Sequence, residues 1–510
     1  MTPSSQRQLT RSDPTPPRGS VLLAVVAAIA LVVAACSDST PETEGAGGSE
    51  ASVEASSTTA TFRTAPTVDE TVPDAFVDLS LEEKIEQFLE TPSSPLASNI
   101  AADMALDGDV RWGPWLLDLL RLGPSNVTDQ QVAGALAILS GIERPADNFI
   151  TDDYRTYGQW VYDEAIDPGP GYREWKLGLY NPIDDDYERL LAAVDDDLVL
   201  SRIQWGGVPR GGIPELNDPE RVPGTEADWM VPDEIVFGVV IEDVSVAYPF
   251  RILGHHELAN DTIGDTPVSL VFCTLCRTAL LFDRRVDGQV LDFQTSGLLT
   301  NSNKIMVDTQ TDTLWSHLEA TGLAGPLSGV ELGQFPLETT TWGEWLDANP
   351  DTEVLAIPDP IYSDNPEQGA LVYDYEPGSA YRSYYDDPEV WFPILDTPTV
   401  DIGLKDEVLG LEFDDSQLAV SVADIVAGGA RVFVVGDHPV LVVPNGSAGA
   451  RVYDGVATSL ADGDRPGFDA DTERAVLDDG TELPRLAVNQ GLWFAWFGNN
   501  PSTDWWPRSG

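Results

Sequence analysis

The chain resembles itself. The segment GVVIEDVSVAY, beginning at Gly238, is similar to GLEFDDSQLAV, beginning at Gly410, and GDTPV at Gly264 returns as GDHPV at Gly436. Both pairs lie 172 residues apart (410 − 238 and 436 − 264). A third pattern, W-x-x-W-x-x-x-N-P-x-T, occupies Trp342, Trp345, Asn349, Pro350 and Thr352. It returns at Trp493, Trp496, Asn500, Pro501 and Thr503, at an offset of 151 (493 − 342). Three matches in one order predict a tandem duplication, with about 21 residues lost between the motifs of the second copy (172 − 151). The texture around the motifs is strand-like: Gly- and Pro-rich turns over 206–223, then β-branched alternation such as EIVFGVVIEDVSVAY.

Upstream the period changes. LSLEEKIEQFLE carries Ser80 as an N-cap candidate with acids in the first turn. RWGPWLLDLLRLG and TDQQVAGALAILSG place apolar residues three and four apart, and each ends at Gly. The expected architecture is α+β: an N-terminal α-helical domain over 78–205, followed by a β-rich, internally duplicated module of two tandem strand-rich repeats, 206–400 and 401–510.

The first residues read as an address. Arg7, Arg11 and Arg18 precede the apolar run Val21–Ala35, and VAAC leads into polar SDSTPETEGAGGSE. This is the pattern of a secretory signal over 1–36, too short for a comfortable membrane span. Cys after VAA resembles the lipobox of bacterial lipoproteins, which implies cleavage before Cys36 and lipidation of its thiol. The expected location is extracytoplasmic, with the membrane as partner through Cys36. Residues 37–77, rich in Ser, Thr, Glu and Gly, are expected to form a disordered acidic stalk. The 85 acidic residues against 28 basic ones leave a net charge of −57, only four of the bases being Lys. A chain so charged repels nucleic acid, which needs clustered positive charge. No protein partner can be named from the sequence.

Against this background the thiols stand out. Apart from Cys36 the chain has two cysteines, Cys273 and Cys276, in SLVFCTLCRTALLFD. Two of its four histidines, His255 and His256, lie just upstream in RILGHHELAND, with Glu257, Asn260 and Asp261. The second copy has neither residue type at the corresponding places, so the expected repeat does not need the thiols to fold. Three readings stay open. The pair is a reversible disulfide, whose exchange depends on donors or cations near the thiolate. Alternatively, the thiolates join His256 or His255, and Met306, around a soft metal such as copper or zinc. In the third reading the pair is a permanent brace, which an oxidising compartment permits. Under the first two, Glu257 orients the imidazole while Asn260 and Asp261 shape the loop. Simpler roles compete: a histidine that only caps or hydrogen-bonds, Met306 and His317 as interior residues, and recurrent Trp pairs as packing. DGDRPGFDADTE has calcium-loop spacing, but Pro466 replaces an oxygen ligand and the flanks are strand-like.

The ordered segments VFGVVIEDVSVAYPFRIL, HHELANDTIGDTPVSLVFCTLCRTALLFDR, FQTSGLLTNSNKIMVDTQTDTLW and LWFAWFGNNPSTDWW resemble the bacterial and archaeal family called domain of unknown function 3179, over about 206–506. That family commonly shows Trp-His-Glu and Cys-Pro-x-Cys at these places. Here the residues are His255-His256-Glu257 and Cys273-Thr274-Leu275-Cys276. The resemblance implies no activity. The expected function is a cell-envelope lipoprotein with a soft-metal or thiol-redox site in its first β repeat. The alternative is a non-catalytic binding module or scaffold with a structural disulfide.

Overall fold

The computed structural model describes Phe76 and residues 78–506, except 125, 146–148, 359–360, 363–369, 372, 396–399, 401, 457 and 472–473. Residues 1–75 and 77, which include the expected signal segment, Cys36 and all of the expected stalk but Phe76, lie outside the described residues. Among the described residues, eight helices between Leu81 and Arg202 build the first part. Ser80 caps the first of them in a capping box with Glu83, satisfying two otherwise orphaned backbone donors. Helix Trp112–Leu122 is buried along most of its length. It carries a charge into the interior, where Asp118 accepts from Lys176 Nζ at 2.8 Å and from the Tyr172 hydroxyl at 2.6 Å.

The strand-rich part overturns the expectation of two tandem repeats. It is a six-bladed β-propeller of small sheets. Sheet I orders the strands Glu338–Thr341, Ile235–Ile241, Val244–Pro249, Glu353–Leu355 and Arg221–Pro223. Sheet II orders Gln334–Phe335, Thr278–Asp283, Thr266–Cys273, Leu258–Ile263 and Leu216–Asn217. Sheet III begins with Ile203–Trp205, which follows directly from the last helix and pairs with Phe293–Thr300. Sheet IV, sheet V (Arg431–Val435, His438–Asn445, Gly449–Asp454) and sheet VI (Phe468–Ala470, Arg474–Leu477, Glu482–Pro484) come from the chain after residue 406.

The physical reason for the correction is interlacing. Blade edges are completed by strands distant in sequence, and the later sheets bond into the earlier ones. Leu492 N donates to Cys276 O at 2.9 Å, and Arg451 pairs with Glu338 at 2.8 Å. Motif likeness reports how a blade packs; it does not report which strands close the ring.

The recurrent motifs do have a local structural meaning. Sheet IV orders Asn489–Leu492, Glu407–Phe413, Ser416–Ser421 and Asp504–Trp506, matching the first four strands of sheet I. In each, a short helix, Trp342–Ala348 or Trp493–Asn499, crosses over to a strand that pairs in parallel. The second Trp of each motif donates Nε1–H to the Thr hydroxyl seven residues on, at 2.9 Å for Trp345 and 3.0 Å for Trp496. Its ring lies flat against a strand glycine. A Cβ at Gly238 would stand 2.3 Å from Trp345 Cε3, and one at Gly410 2.1 Å from Trp496 Cε3.

Candidate functional site

Cys273 ends its strand and Cys276 lies in the four-residue turn that leads back into Thr278–Asp283. The turn residues are therefore Thr274, Leu275, Cys276 and Arg277, the last with φ of +51°. The two sulfurs are joined as a disulfide. Both cysteines are buried, 1% and 0% exposed, within a core shared with the helical part. Donors still reach the sulfurs: Asn303 Nδ2 donates to Cys276 Sγ at 2.9 Å, and Cys276 N–H to Cys273 Sγ at 3.4 Å.

A buried polar cluster surrounds the turn. Glu257 caps helix Phe250–His256 with φ of +60°, and its carboxylate accepts from Thr274 Oγ1 at 2.7 Å and pairs with Lys304. His317 donates Nε2–H to Val271 O at 3.1 Å, leaving Nδ1 facing Asn303 Nδ2 at 3.5 Å. Burial and the Lys304 charge push the His317 pKa down to about 3, so the ring is neutral. Asn303 and Lys304 open the strand that follows the turn Asn301–Ser302, where both residues have positive φ. The buried Ser302 hydroxyl in that turn has no hydrogen-bond partner among the described residues.

The soft-metal ligand set is not assembled in this state. The cysteines spend their sulfurs on each other. His256 is fully buried, with Nδ1 donating to Pro214 O at 2.8 Å and Nε2 accepting from the Tyr375 hydroxyl at 2.6 Å. His255 Nε2 donates to Asp374 O at 2.9 Å. Burial lowers the pKa of both rings. Met306 packs among Leu258, Val271, Phe293 and Trp315 as an interior residue. No group of three or more His, Cys, Asp or Glu side chains suited to a metal occurs among the described residues.

The expected helper residues are placed otherwise as well. Glu257 serves Thr274 and Lys304 in place of an imidazole. Asn260 bonds Asn217 Oδ1 at 2.8 Å and both backbone groups of Phe293, stitching sheet II to the start of a sheet III strand. Asp261 accepts from the Tyr248 hydroxyl at 2.7 Å. Sequence reading noted Asn303 and Lys304 but gave them no role, and it did not reach the tyrosines over the turn. Tyr384 donates to Leu275 O at 2.9 Å and Tyr385 to Thr274 O at 2.6 Å. Lys304 carried a signal, being one of four lysines and set in an apolar strand; the tyrosines, about a hundred residues downstream, carried none.

A family model described as a protein of unknown function, DUF3179, matches residues 210–503. The chain belongs to the DUF3179 family. The matched span of this DUF3179 member takes in sheets I and II whole, the cysteine turn and both Trp motifs. No curated protein and no solved structure matches the chain significantly.

Proposed function

We propose that this DUF3179 member is a cell-envelope protein, tethered through Cys36, whose Cys273–Cys276 pair exchanges electrons with a partner dithiol. The observation that carries the reading is the hydrogen bond from Asn303 Nδ2 to Cys276 Sγ, at 2.9 Å. A donor aimed at one sulfur favours that sulfur as thiolate, and hence as leaving group. The partner's thiolate attacks Cys273 Sγ, the intramolecular S–S bond breaks, and Cys276 departs as a thiolate held by Asn303. The partner's second thiol then resolves the mixed disulfide. This chain gains two electrons and, at completion, two protons; the partner leaves oxidised. The buried Glu257–Lys304 pair and neutral His317 beside the turn support the reading, because such groups are costly to bury without a task.

Redox titration in dithiol buffers, read by alkylation and mass spectrometry, tests it. A reversible transition that shifts in Asn303→Ala supports exchange; an inert bridge that reduces only on unfolding sinks it. A second reading, a binding module in which the bridge only braces the turn, is favoured by the near-complete burial of both sulfurs. It expects a Cys273→Ser, Cys276→Ser variant to lose stability and nothing else. The tether is tested separately: Cys36→Ser should move the protein from the membrane fraction to the soluble one, and retention in the membrane would refute lipid anchoring.

A further inference from the structure

Residues 373–395 cross over the two motifs that sequence singled out. Asp374 O and the Tyr375 hydroxyl bond His255 and His256. The Tyr384 and Tyr385 hydroxyls bond the carbonyls of Leu275 and Thr274, the two residues between the cysteines. The far end docks on the helical part. Gln159 donates Nε2–H to Ile394 O at 2.9 Å and accepts from Ile394 N at 3.4 Å, and Phe392 meets the Tyr154 ring edge-on. One segment thus shares a core with the disulfide and takes up the carbonyls of the two residues between the cysteines.

Three cations touch its middle: Arg155 pairs with Glu389 at 3.5 Å, Arg277 lies over the Tyr385 ring, and Lys405 alone among them bonds its backbone carbonyls. Lys405 Nζ donates to Tyr384 O at 2.5 Å and Asp387 O at 2.7 Å, and lies 3.4 Å from the centroid of the Tyr384 ring. The other three lysines each pair with a carboxylate: Lys84 with Asp103, Lys176 with Asp118, and Lys304 with Glu257. Among the described residues Lys405 makes no such pair, although the chain has 85 acids. It also lines an open cleft of about 990 Å³, together with Arg277, the residue after Cys276. Lys405 is therefore a half-buried residue at the wall of an open cleft, while the residue it holds reaches the turn by its own hydroxyl.

We propose that residues 373–395 form a lid over the Cys273–Cys276 bridge and that Lys405 is its latch. The inference rests on the thiol-exchange reading, for which it supplies the missing route to buried sulfurs. When the latch opens, the Tyr384 and Tyr385 bonds are lost with it, and a reductant meets the turn without unfolding of the propeller.

The test uses the full chain and a water-soluble phosphine, which reduces the bridge to two thiols and leaves as phosphine oxide, its oxygen supplied by water. Reduction of Lys405→Met should run tenfold or more faster than wild type at an unchanged urea midpoint. Lys405→Arg, which can still donate to both carbonyls, should stay within about twofold of wild type. Equal rates for wild type and Lys405→Met overturn the latch. So does an acceleration matched by an equivalent fall in global stability. Tyr384→Phe with Tyr385→Phe provides a second probe: it removes two hydroxyls with little change in shape, should accelerate reduction in the same direction, and counts against the lid if it does not. Failure of the lid shows as unaltered rates, whereas failure of thiol exchange shows as an irreversible titration, so the two are distinguishable.

Discussion

Replacing Gly238 by Ala should destabilise the protein by about 1–3 kcal/mol, against the usual sign for glycine in a strand. A strand glycine exchanged for alanine ordinarily gains about 0.5–1 kcal/mol, because the unfolded chain loses freedom. Here the new Cβ would stand 2.3 Å from Trp345 Cε3 and Cζ3, where carbon atoms settle at about 3.5–4.0 Å. The ring must therefore shift by more than about 1 Å, yet Trp345 is 1% exposed and bonded to Thr352. Overpacking of this kind costs about 1–3 kcal/mol, and a weakened Nε1–H bond adds about 1; together they outweigh the entropic gain. Urea titrations with matched slopes give the difference. Gly134→Ala is the control: that glycine lies in helix Asn126–Ser140 with nothing within 4 Å of its Cβ position, so it should raise the midpoint. Trp345→Leu should absorb much of the penalty of Gly238→Ala, giving a favourable coupling energy in the double-mutant cycle. A Gly238→Ala midpoint at or above wild type, or strict additivity with Trp345→Leu, would refute the packing argument.

Other expectations follow from the same interior. Lys304→Met should cost about 3–5 kcal/mol by stranding the Glu257 carboxylate, and adding Glu257→Gln should recover much of it, as chemical denaturation would register. His317, held near pKa 3 in the fold and titrating near 6.5 when unfolded, takes up protons preferentially in the unfolded chain between those values. Stability should therefore fall as pH drops from about 6.5 toward 3, and His317→Gln should flatten that part of the curve of urea midpoint against pH. Losing the bridge through Cys273→Ser with Cys276→Ser should cost about 2 kcal/mol from loop closure alone; a loss beyond 5 would show that it organises far more than its turn.

How much could be read in advance divides along a physical line. Local signals were legible because they act over a turn or two: the Ser80 cap, the helical spacing before residue 203, and the strand texture after it. The Gly and Trp motifs were visible as text, but their meaning, an indole laid on a glycine of the neighbouring strand, is a tertiary contact. Reading them as two tandem modules failed because strands such as Ile203–Trp205 and Glu338–Thr341 join sheets built from distant chain, and pairing partners leave no trace in periodicity. The cysteine pair was visible as text, while the side chains that would surround it were not. His256 lies 17 residues before Cys273 (273 − 256), yet its two nitrogens face Pro214 and Tyr375. Spacing brings residues near one another without saying which way a ring points.

The buried cysteine turn also bears on when the chain must meet an oxidant. Once Tyr384 and Tyr385 have settled on Thr274 and Leu275 and Leu492 has bonded Cys276 O, the thiols are walled in by segments synthesised more than a hundred residues later. A polypeptide exported unfolded can have its cysteines paired while that later chain is still arriving. One that matured fully before reaching an oxidising compartment would instead seal in two thiols, so the state of its sulfurs would record the order of folding and oxidation.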